Sequence, residues 1–235
     1  MDPEEQLRHE FNGWALSGRG PEMERHHSRI TEKNIALMGI GPGDRILDLG
    51  CGNGWACRRL APMVPEGLVV GLDISDEMVR QARALSLDLD NVLFLSSGAE
   101  GIPWKEDFFS HVLSVESFYY YPDPARALRE THRVLAPGGR FFMLINLYGD
   151  NADSLQWVEQ LKVPVTVLSA AQWAGFFREA GFQNVEERRI CDDCPVPESY
   201  QGRWFRDAAQ LRRFLETGAL LMIGEKTEPT TASRG

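Results

Sequence analysis

A glycine-rich turn constrains the fold of this chain more than any other stretch. Residues 48–56 read Asp-Leu-Gly-Cys-Gly-Asn-Gly-Trp-Ala, between the apolar run Arg45–Leu47 and the helix-like run Cys57–Leu60. Glycine permits positive φ angles and a close approach of the backbone, and the start of a helix offers unpaired N–H donors. A strand, a glycine turn and a helix N-terminus in this order therefore predict a place where a ligand lies against bare backbone.

The spacing of the glycines indicates which ligand. The dinucleotide fingerprint is G-x-G-x-x-G, whereas Gly50, Gly52 and Gly54 read G-x-G-x-G and Trp55 stands where the third dinucleotide glycine belongs. Asp48 lies two residues before the first glycine. This pattern resembles motif I of the class I S-adenosylmethionine-dependent methyltransferases, which implies S-adenosylmethionine as cofactor and S-adenosylhomocysteine as product.

In that resemblance the turn faces the amino-acid end of the cofactor. The backbone of Gly50, Cys51 and Gly52 contacts it, and Asp48 orients the turn or, through water, the ligand's ammonium. Asp73 follows the second predicted strand, and the resemblance assigns it to the ribose; Ile74 beside it is also expected to bind the cofactor. A carboxylate there can accept hydrogen bonds from two ribose hydroxyls.

The stretch after the third predicted strand departs from the family pattern. Many members have Asp-Ala there, the Asp accepting from the adenine amino group and the Ala N–H donating to the ring. This chain has Gly98 followed by Ala99 and Glu100. The backbone contact is retained and the carboxylate contact is lost, so either Ser97 or a water replaces it, or adenine is held less specifically.

The fourth predicted strand ends in a stretch that resembles small-molecule methyltransferases of the type 11, ubiquinone/menaquinone-like group. In these relatives a histidine near the transferred methyl group often serves as a base, and the matching residue here is Tyr120. The resemblance brings the backbone of Ser114 near the methionine end of the cofactor and turns Glu116 towards the cofactor or the substrate. The histidines His26 and His27 lie in a segment that must cover the pocket. The candidate bases, in no order, are the side chains of Tyr120, Glu116, His26 and His27.

Apolar runs alternating with helical segments predict one α/β domain over residues 1–235. The resemblance implies a doubly wound, mostly parallel, seven-stranded Rossmann-like sheet. We expect a helical N-terminal cap over 1–44, a cofactor-binding core over 45–147, a substrate-side half over 148–224 with insertions after strands five and six, and a loose tail over 225–235. The strands are predicted at Arg45–Leu49, Leu68–Leu72, Asn91–Leu95, Phe109–Val115, Arg140–Leu147, Asn184–Ile190 and Ala219–Ile223. Helices are predicted at 22–38 and 153–161, among others, with N-caps at Ser75, Asp123 and Ser169.

Composition excludes several classes of function. A net charge of −9 argues against a nucleic-acid-binding surface, and no apolar run approaches the roughly 20 residues that a membrane span needs. Four cysteines do not make a disulfide framework, and Cys191-x-x-Cys194 lacks further zinc ligands, so we expect free thiols and no metal. The chain is expected to be cytoplasmic, a monomer or homodimer.

The function predicted is methyl transfer from S-adenosylmethionine to a small organic acceptor by in-line displacement. The alternative is a non-catalytic S-adenosylmethionine-binding or regulatory protein that retains the fold. Six aromatic side chains, mainly in the cap and insertions, are candidates to line the acceptor pocket: Trp14, Phe118, Tyr119, Trp157, Tyr200 and Trp204.

Overall fold

The computed structural model describes residues 2–228 and contains one seven-stranded sheet with the order β3-β2-β1-β4-β5-β7-β6. Strands β1 to β5 run parallel to one another, and β7 runs antiparallel to both β5 and β6. The predicted mostly parallel sheet is confirmed. The strands are β1 Arg45–Leu49, β2 Leu68–Asp73, β3 Val92–Ser96, β4 Phe109–Val115, β5 Leu135–Ile145, β6 Gln183–Ile190 and β7 Ala219–Glu225.

Helices cover the sheet and begin where the sequence places their caps. Ser75 Oγ accepts from the Met78 N–H at 3.1 Å, and Asp123 caps its helix in the same way. Ser169 forms the predicted capping box. The helices are α1 Pro3–Leu16, α2 Gly20–Met38, α3 Trp55–Leu60, α4 Asp76–Ala84, α5 Pro124–Val134, α6 Ala170–Glu179 and α7 Ala208–Thr217.

Two predicted elements differ from the structure. The helix predicted over 153–161 is found as the shorter 3-10 helix Leu155–Gln160, where the Trp157 N–H bonds to the carbonyl of Ser154, three residues back. Strand β5 begins at Leu135 and not at Arg140, since Leu135 already pairs with Phe109 before the pairing shifts and resumes at Arg140. The predicted tail over 225–235 begins at the last residue of β7, and residues 229–235 lie outside the described chain.

The sheet is covered on both faces by separate apolar layers. Leu47 and Leu49 of β1 join one layer, and Ile46 joins the other, as alternation along a strand requires. The two cap helices contribute to opposite layers, Leu7 of α1 to the first and Ile30 of α2 to the second. Each helix within residues 2–228 is too short or too polar to span a lipid bilayer.

Candidate functional site

A cavity of about 790 Å³ lies where the parallel strands end, bounded by both cap helices and by the stretch after β6. It brings together most of the residues predicted from the sequence. They are Gly50, Cys51, Gly52, Asp73, Ile74, Gly98, Ala99 and Glu100 on the cofactor side, with Glu116, Tyr120, His26 and His27. Asp48 and Ser114 do not line it.

The glycine turn is shaped by both conformation and space. Gly50, Gly52 and Gly54 all have positive φ, at 80°, 52° and 75°. A Cβ at Gly50 would collide with the Ser117 side chain, whereas a Cβ at Gly52 would meet no atom within 4 Å. The turn is therefore closed on the protein side at Gly50 and open at Gly52, which lets a ligand approach the backbone there.

Asp73 at the end of β2 is held by two backbone donors. Its two carboxylate oxygens accept one bond each, from the N–H of Gly52 and from the N–H of Ser75, both at 2.8 Å. Burial raises the pKa of this carboxyl. Each oxygen keeps a free lone pair, and the residue lines the cavity. The arrangement suits a ligand that presents two adjacent hydroxyl groups, as a ribose does.

Asp48 lies beneath the turn and not on the cavity. Its Oδ2 accepts from the Cys57 Sγ–H at 3.2 Å, and burial raises its pKa to about 7. Of the two predicted roles, the geometry favours orientation of the turn, because the carboxyl joins β1 to α3 from below. Ser114 is likewise set back: its Oγ lies 2.7 Å from Ser117 Oγ, and Ser117 faces the cavity.

Glu116 is the most unusual side chain of the site. Its φ is 53°, a left-handed value that non-glycine residues rarely adopt. One carboxylate oxygen accepts from the Asn146 N–H at 2.6 Å and the other from the Tyr119 hydroxyl at 3.0 Å. Burial raises the pKa of Glu116 to about 7. Strain of this kind is found at functional sites when the surroundings enforce it, and β4 ends beside the point where the strand order reverses, where open α/β sheets bind ligands.

The other candidate bases are less suited to accept a proton near neutral pH. Burial raises the pKa of Tyr120 well above its usual range, and its ring packs edge-on against Phe11 of α1. Burial, with a smaller effect of the neighbouring His26, lowers the pKa of His27 to about 4, and His27 Nδ1 is buried without a hydrogen-bond partner. His26 is exposed at the cavity mouth.

The far wall of the cavity is aromatic. The Trp157 indole N–H donates to the Trp204 carbonyl at 3.1 Å, and the Trp157 ring packs against those of Phe205 and Phe214. Five of the six aromatic residues predicted to line the pocket do so, and Phe118 is buried in the core instead.

Among the cavity residues that sequence reasoning missed are four with polar side chains close to the predicted site. Asn146 follows β5, Tyr121 and Ser117 lie in the stretch after β4, and Arg19 packs over the Trp14 ring at 4.6 Å. Position after a parallel strand was an available signal for Asn146 and Ser117. No local sequence pattern indicated Arg19, because it reaches the cavity only through the packing of the cap.

The Cys191 and Cys194 thiols are free, as predicted, and both residues are exposed. Within the described range 2–228, no group of three or more His, Cys, Asp and Glu side chains is arranged to hold a metal ion.

The fold and the site define a class: an α/β protein that binds a nucleoside against a glycine turn and keeps open space beside it. The family model described as a methyltransferase domain matches residues 47–143. The chain is 33% identical over 169 residues to the 27-O-demethylrifamycin SV methyltransferase of Amycolatopsis mediterranei, covering 68% of this chain and 62% of that protein. It is 28% identical to the phthiotriol/phenolphthiotriol dimycocerosates methyltransferase of Mycobacterium tuberculosis, covering 89% of this chain and 82% of that one.

A solved structure is similar over almost the whole chain. It is the complex between the Haloferax volcanii Trm112 methyltransferase activator and a proposed methyltransferase, with 34% identity, a TM-score of 0.87, and coverage of 93% of this chain and 98% of that one. The chain therefore belongs to the class I S-adenosylmethionine-dependent methyltransferases. S-adenosylmethionine is the methyl donor of this family, and the open Gly52 backbone and the Asp73 carboxylate fit it.

Proposed function

We propose that this protein transfers a methyl group from S-adenosylmethionine to a small organic acceptor. The observation that carries the proposal is a single cavity that joins the Gly52–Asp73 pair to the buried carboxyl of Glu116 and continues to an aromatic wall. A site that only bound the cofactor needs no such space beyond Glu116.

The chain's own residues bind and orient. Asp73 accepts from the ribose hydroxyls, and the glycine turn lets the amino-acid end lie against backbone. When bound, S-adenosylmethionine supplies an electrophilic methyl group that the acceptor attacks in line. Helix α1 covers this region with Leu7, Phe11 and Trp14, which exclude water from the reacting groups.

Glu116 holds the proton that the acceptor loses. A base is needed when the nucleophile is a hydroxyl or a carbon acid, and it works best with a pKa near the operating pH. Glu116 meets that condition, whereas Tyr120 stays protonated and His27 binds a proton too weakly at neutral pH. Tyr119 and the Asn146 backbone hold the Glu116 carboxylate in place.

The aromatic wall favours an acceptor with a large apolar body. The rings of Trp157, Trp204 and Phe205 present apolar faces to the cavity, and such faces contribute most of the contact area in ligand pockets. The curated relatives are named for different acceptors, a rifamycin and a mycocerosate lipid. We accordingly assign this chain an apolar acceptor with one ionisable nucleophilic group.

Calorimetric titration of the protein with S-adenosylhomocysteine and with NAD tests the donor. We expect binding of the first only, and Asp73→Ala should weaken it by about 1.5–3 kcal/mol, the scale of a hydrogen bond to a charged group. Asp88→Ala, at an exposed position away from the cavity, is the matched control. Binding of NAD alone would refute the proposal. Unchanged affinity in Asp73→Ala would refute the ribose assignment.

A co-crystal with S-adenosylhomocysteine separates catalysis from mere binding. If an aromatic side chain fills the space between the ligand sulfur and Glu116, the protein is a non-catalytic binder. Open space there, with the Glu116 carboxylate facing it, supports methyl transfer.

We also infer that the chain assembles with a methyltransferase activator of the Trm112 type. The similar solved chain is in complex with such an activator. The surface that suits a partner here is the open edge strand β3, where Leu93 is 47% exposed and the preceding Leu85 and Leu87 are 52% and 86% exposed. Unpaired backbone beside exposed leucines attracts a pairing partner. The opposite edge strand, β6, carries Glu–Arg pairs instead.

Co-expression with a Trm112-type protein and affinity purification test this assembly. We expect the activator to co-purify with the native chain and not with Leu93→Lys, because this substitution places a charge where the complex would bury a leucine. Leu37→Lys, which alters a leucine 39% exposed on α2, should co-purify normally. Equal recovery of both variants would show that the edge of β3 is not the docking surface.

A further inference from the structure

Helix α1 brings the carboxylate of Glu4 against Gly98, a residue of the cavity wall on the side where a purine base must lie. This inference rests on the proposed function. The ribose is placed at Asp73, at the end of β2, and the amino-acid end lies at the turn after β1. The base, on the other side of the ribose, therefore extends along the sheet edge towards β3, where the lining residues are Ser97, Gly98, Ala99 and Glu100.

The space around Gly98, and not its backbone conformation, favours a glycine at this position. Its φ and ψ are −73° and 159°, an extended conformation that any residue adopts. A Cβ there would lie 2.8 Å from Glu4 Oε1, and 3.4 Å from Glu100 Oε2. The Glu4 carboxylate thus occupies the space above Gly98 that a side chain at this position would take.

The helix that carries Glu4 is fixed over this edge by polar contacts. Glu4, Arg8 and Asn12 are spaced four residues apart and lie on one face of α1. The Arg8 guanidinium donates to the Ile74 carbonyl at 2.7 Å, and Asn12 Oδ1 accepts from Ser75 Oγ at 2.7 Å and from the Glu77 N–H at 3.2 Å. The position of Glu4 follows from this anchoring of α1 on the ends of β2 and α4.

We propose that Glu4 is a specificity-determining residue that accepts a hydrogen bond from the exocyclic amino group of the adenine. An ionised carboxylate only accepts hydrogen bonds, so it favours the 6-amino group of adenine. A 6-oxo purine presents an oxygen at the same place, and two acceptors then face each other without a proton between them. A polar site left unpaired in this way rejects the wrong ligand strongly.

Titration calorimetry with two ligands tests this role: S-adenosylhomocysteine and its deaminated 6-oxo analogue, S-inosylhomocysteine. The native protein should bind the first at least 100-fold more tightly. In Glu4→Gln, whose amide can donate to the 6-oxo group, we expect this ratio to fall at least tenfold with an unchanged melting temperature. Glu5→Gln alters the exposed neighbouring glutamate and should keep the native ratio.

The variant Glu100→Gln distinguishes the role of Glu4 from that of Glu100, the other carboxylate of this region. If the ratio collapses in Glu100→Gln and persists in Glu4→Gln, Glu100 reads the base and the inference is overturned. A native ratio near one overturns it as well. If the native protein binds neither ligand, the proposed function fails. If it binds S-adenosylhomocysteine tightly and Glu4→Gln leaves the affinity ratio unaltered, only the role of Glu4 fails.

Discussion

Two buried carboxyl groups near the glycine turn show how surroundings decide the role of a residue. Burial raises the pKa of both Asp48 and Glu116 to about 7. Asp48 faces the Cys57 thiol beneath the turn and has no access to the cavity. Glu116 faces the cavity, and its strained backbone is held by Asn146 and Tyr119. Only the second can exchange a proton with a ligand, so a perturbed pKa indicates function only together with access.

The role proposed for Glu116 predicts a pH dependence. With a base of pKa about 7, the value of kcat/KM rises up to about pH 7, as the carboxyl loses its proton, and is level above. Glu116→Gln should remove this dependence and lower kcat by about 100- to 10,000-fold, the usual contribution of general-base catalysis. Measured S-adenosylhomocysteine affinity should change little. A variant with the native pH profile would show that another group takes the proton.

At the scale of elements, the strands and caps were predictable because local pattern determines them. Asp73 was placed at a strand end by hydrophobic runs alone, and Ser75, Asp123 and Ser169 cap their helices through neighbours three residues away. The 3-10 helix Leu155–Gln160 was not predictable, since its residues lie outside the alternating repeat and their periodicity fits an α-helix equally well.

The packing of α1 was predictable only in outline. Leu7, Phe11 and Trp14 indicated an apolar face, and the structure places all three on the cavity. The contact between Glu4 and Gly98 joins segments far apart in the chain, so no local pattern contains it. From the sequence, the absence of a carboxylate at Gly98 indicated a lost contact with adenine. In the structure, the carboxylate that occupies this place comes from another element.

Substitution of Gly98 by Ala tests this arrangement of α1 against the loop after β3. The added Cβ would lie 2.8 Å from the end of a flexible glutamate side chain, which can move aside. We expect the melting temperature to change by less than about 2 °C, on the scale of a mild surface substitution, while S-adenosylhomocysteine affinity falls about tenfold because Glu4 is displaced. Gly101→Ala, where a Cβ meets nothing within 4 Å, is the control. A large loss of stability in Gly98→Ala would contradict a purely local displacement.

At the scale of the whole molecule, the residues that form the cavity contribute both to ligand binding and to the stability of the fold. The cavity is built between the two apolar layers, with α1 in one and α2 in the other, so a bound ligand contacts both. A ligand that binds only the folded chain stabilises it by mass action. In the ligand-free protein the same region holds the buried ionisable groups Asp48, Glu116 and His27, which makes stability depend on pH.

The raised pKa of Glu116 determines how this group makes the free energy of unfolding change with pH. The folded chain keeps the proton up to about pH 7, whereas the unfolded chain loses it near the ordinary glutamate pKa of 4.5. The free energy of unfolding therefore falls as pH rises through this window, by up to about 3 kcal/mol from this group. Asp48 acts in the same direction. His27, whose pKa is lowered to about 4 from 6.5, acts in the opposite direction, since the unfolded chain binds its proton more tightly.

Because these effects overlap, the contribution of Glu116 is best measured as a difference. Urea unfolding of the native protein and of Glu116→Gln should give free energies that converge near pH 4.5. The variant, which has no carboxyl to ionise, should gain relative to the native protein by up to about 3 kcal/mol by pH 8. Glu106→Gln, at an exposed glutamate outside the cavity, is the matched control. If the difference for Glu116→Gln does not change with pH, the folded and unfolded chains ionise this carboxyl alike, and its role as a base near neutral pH falls with the raised pKa.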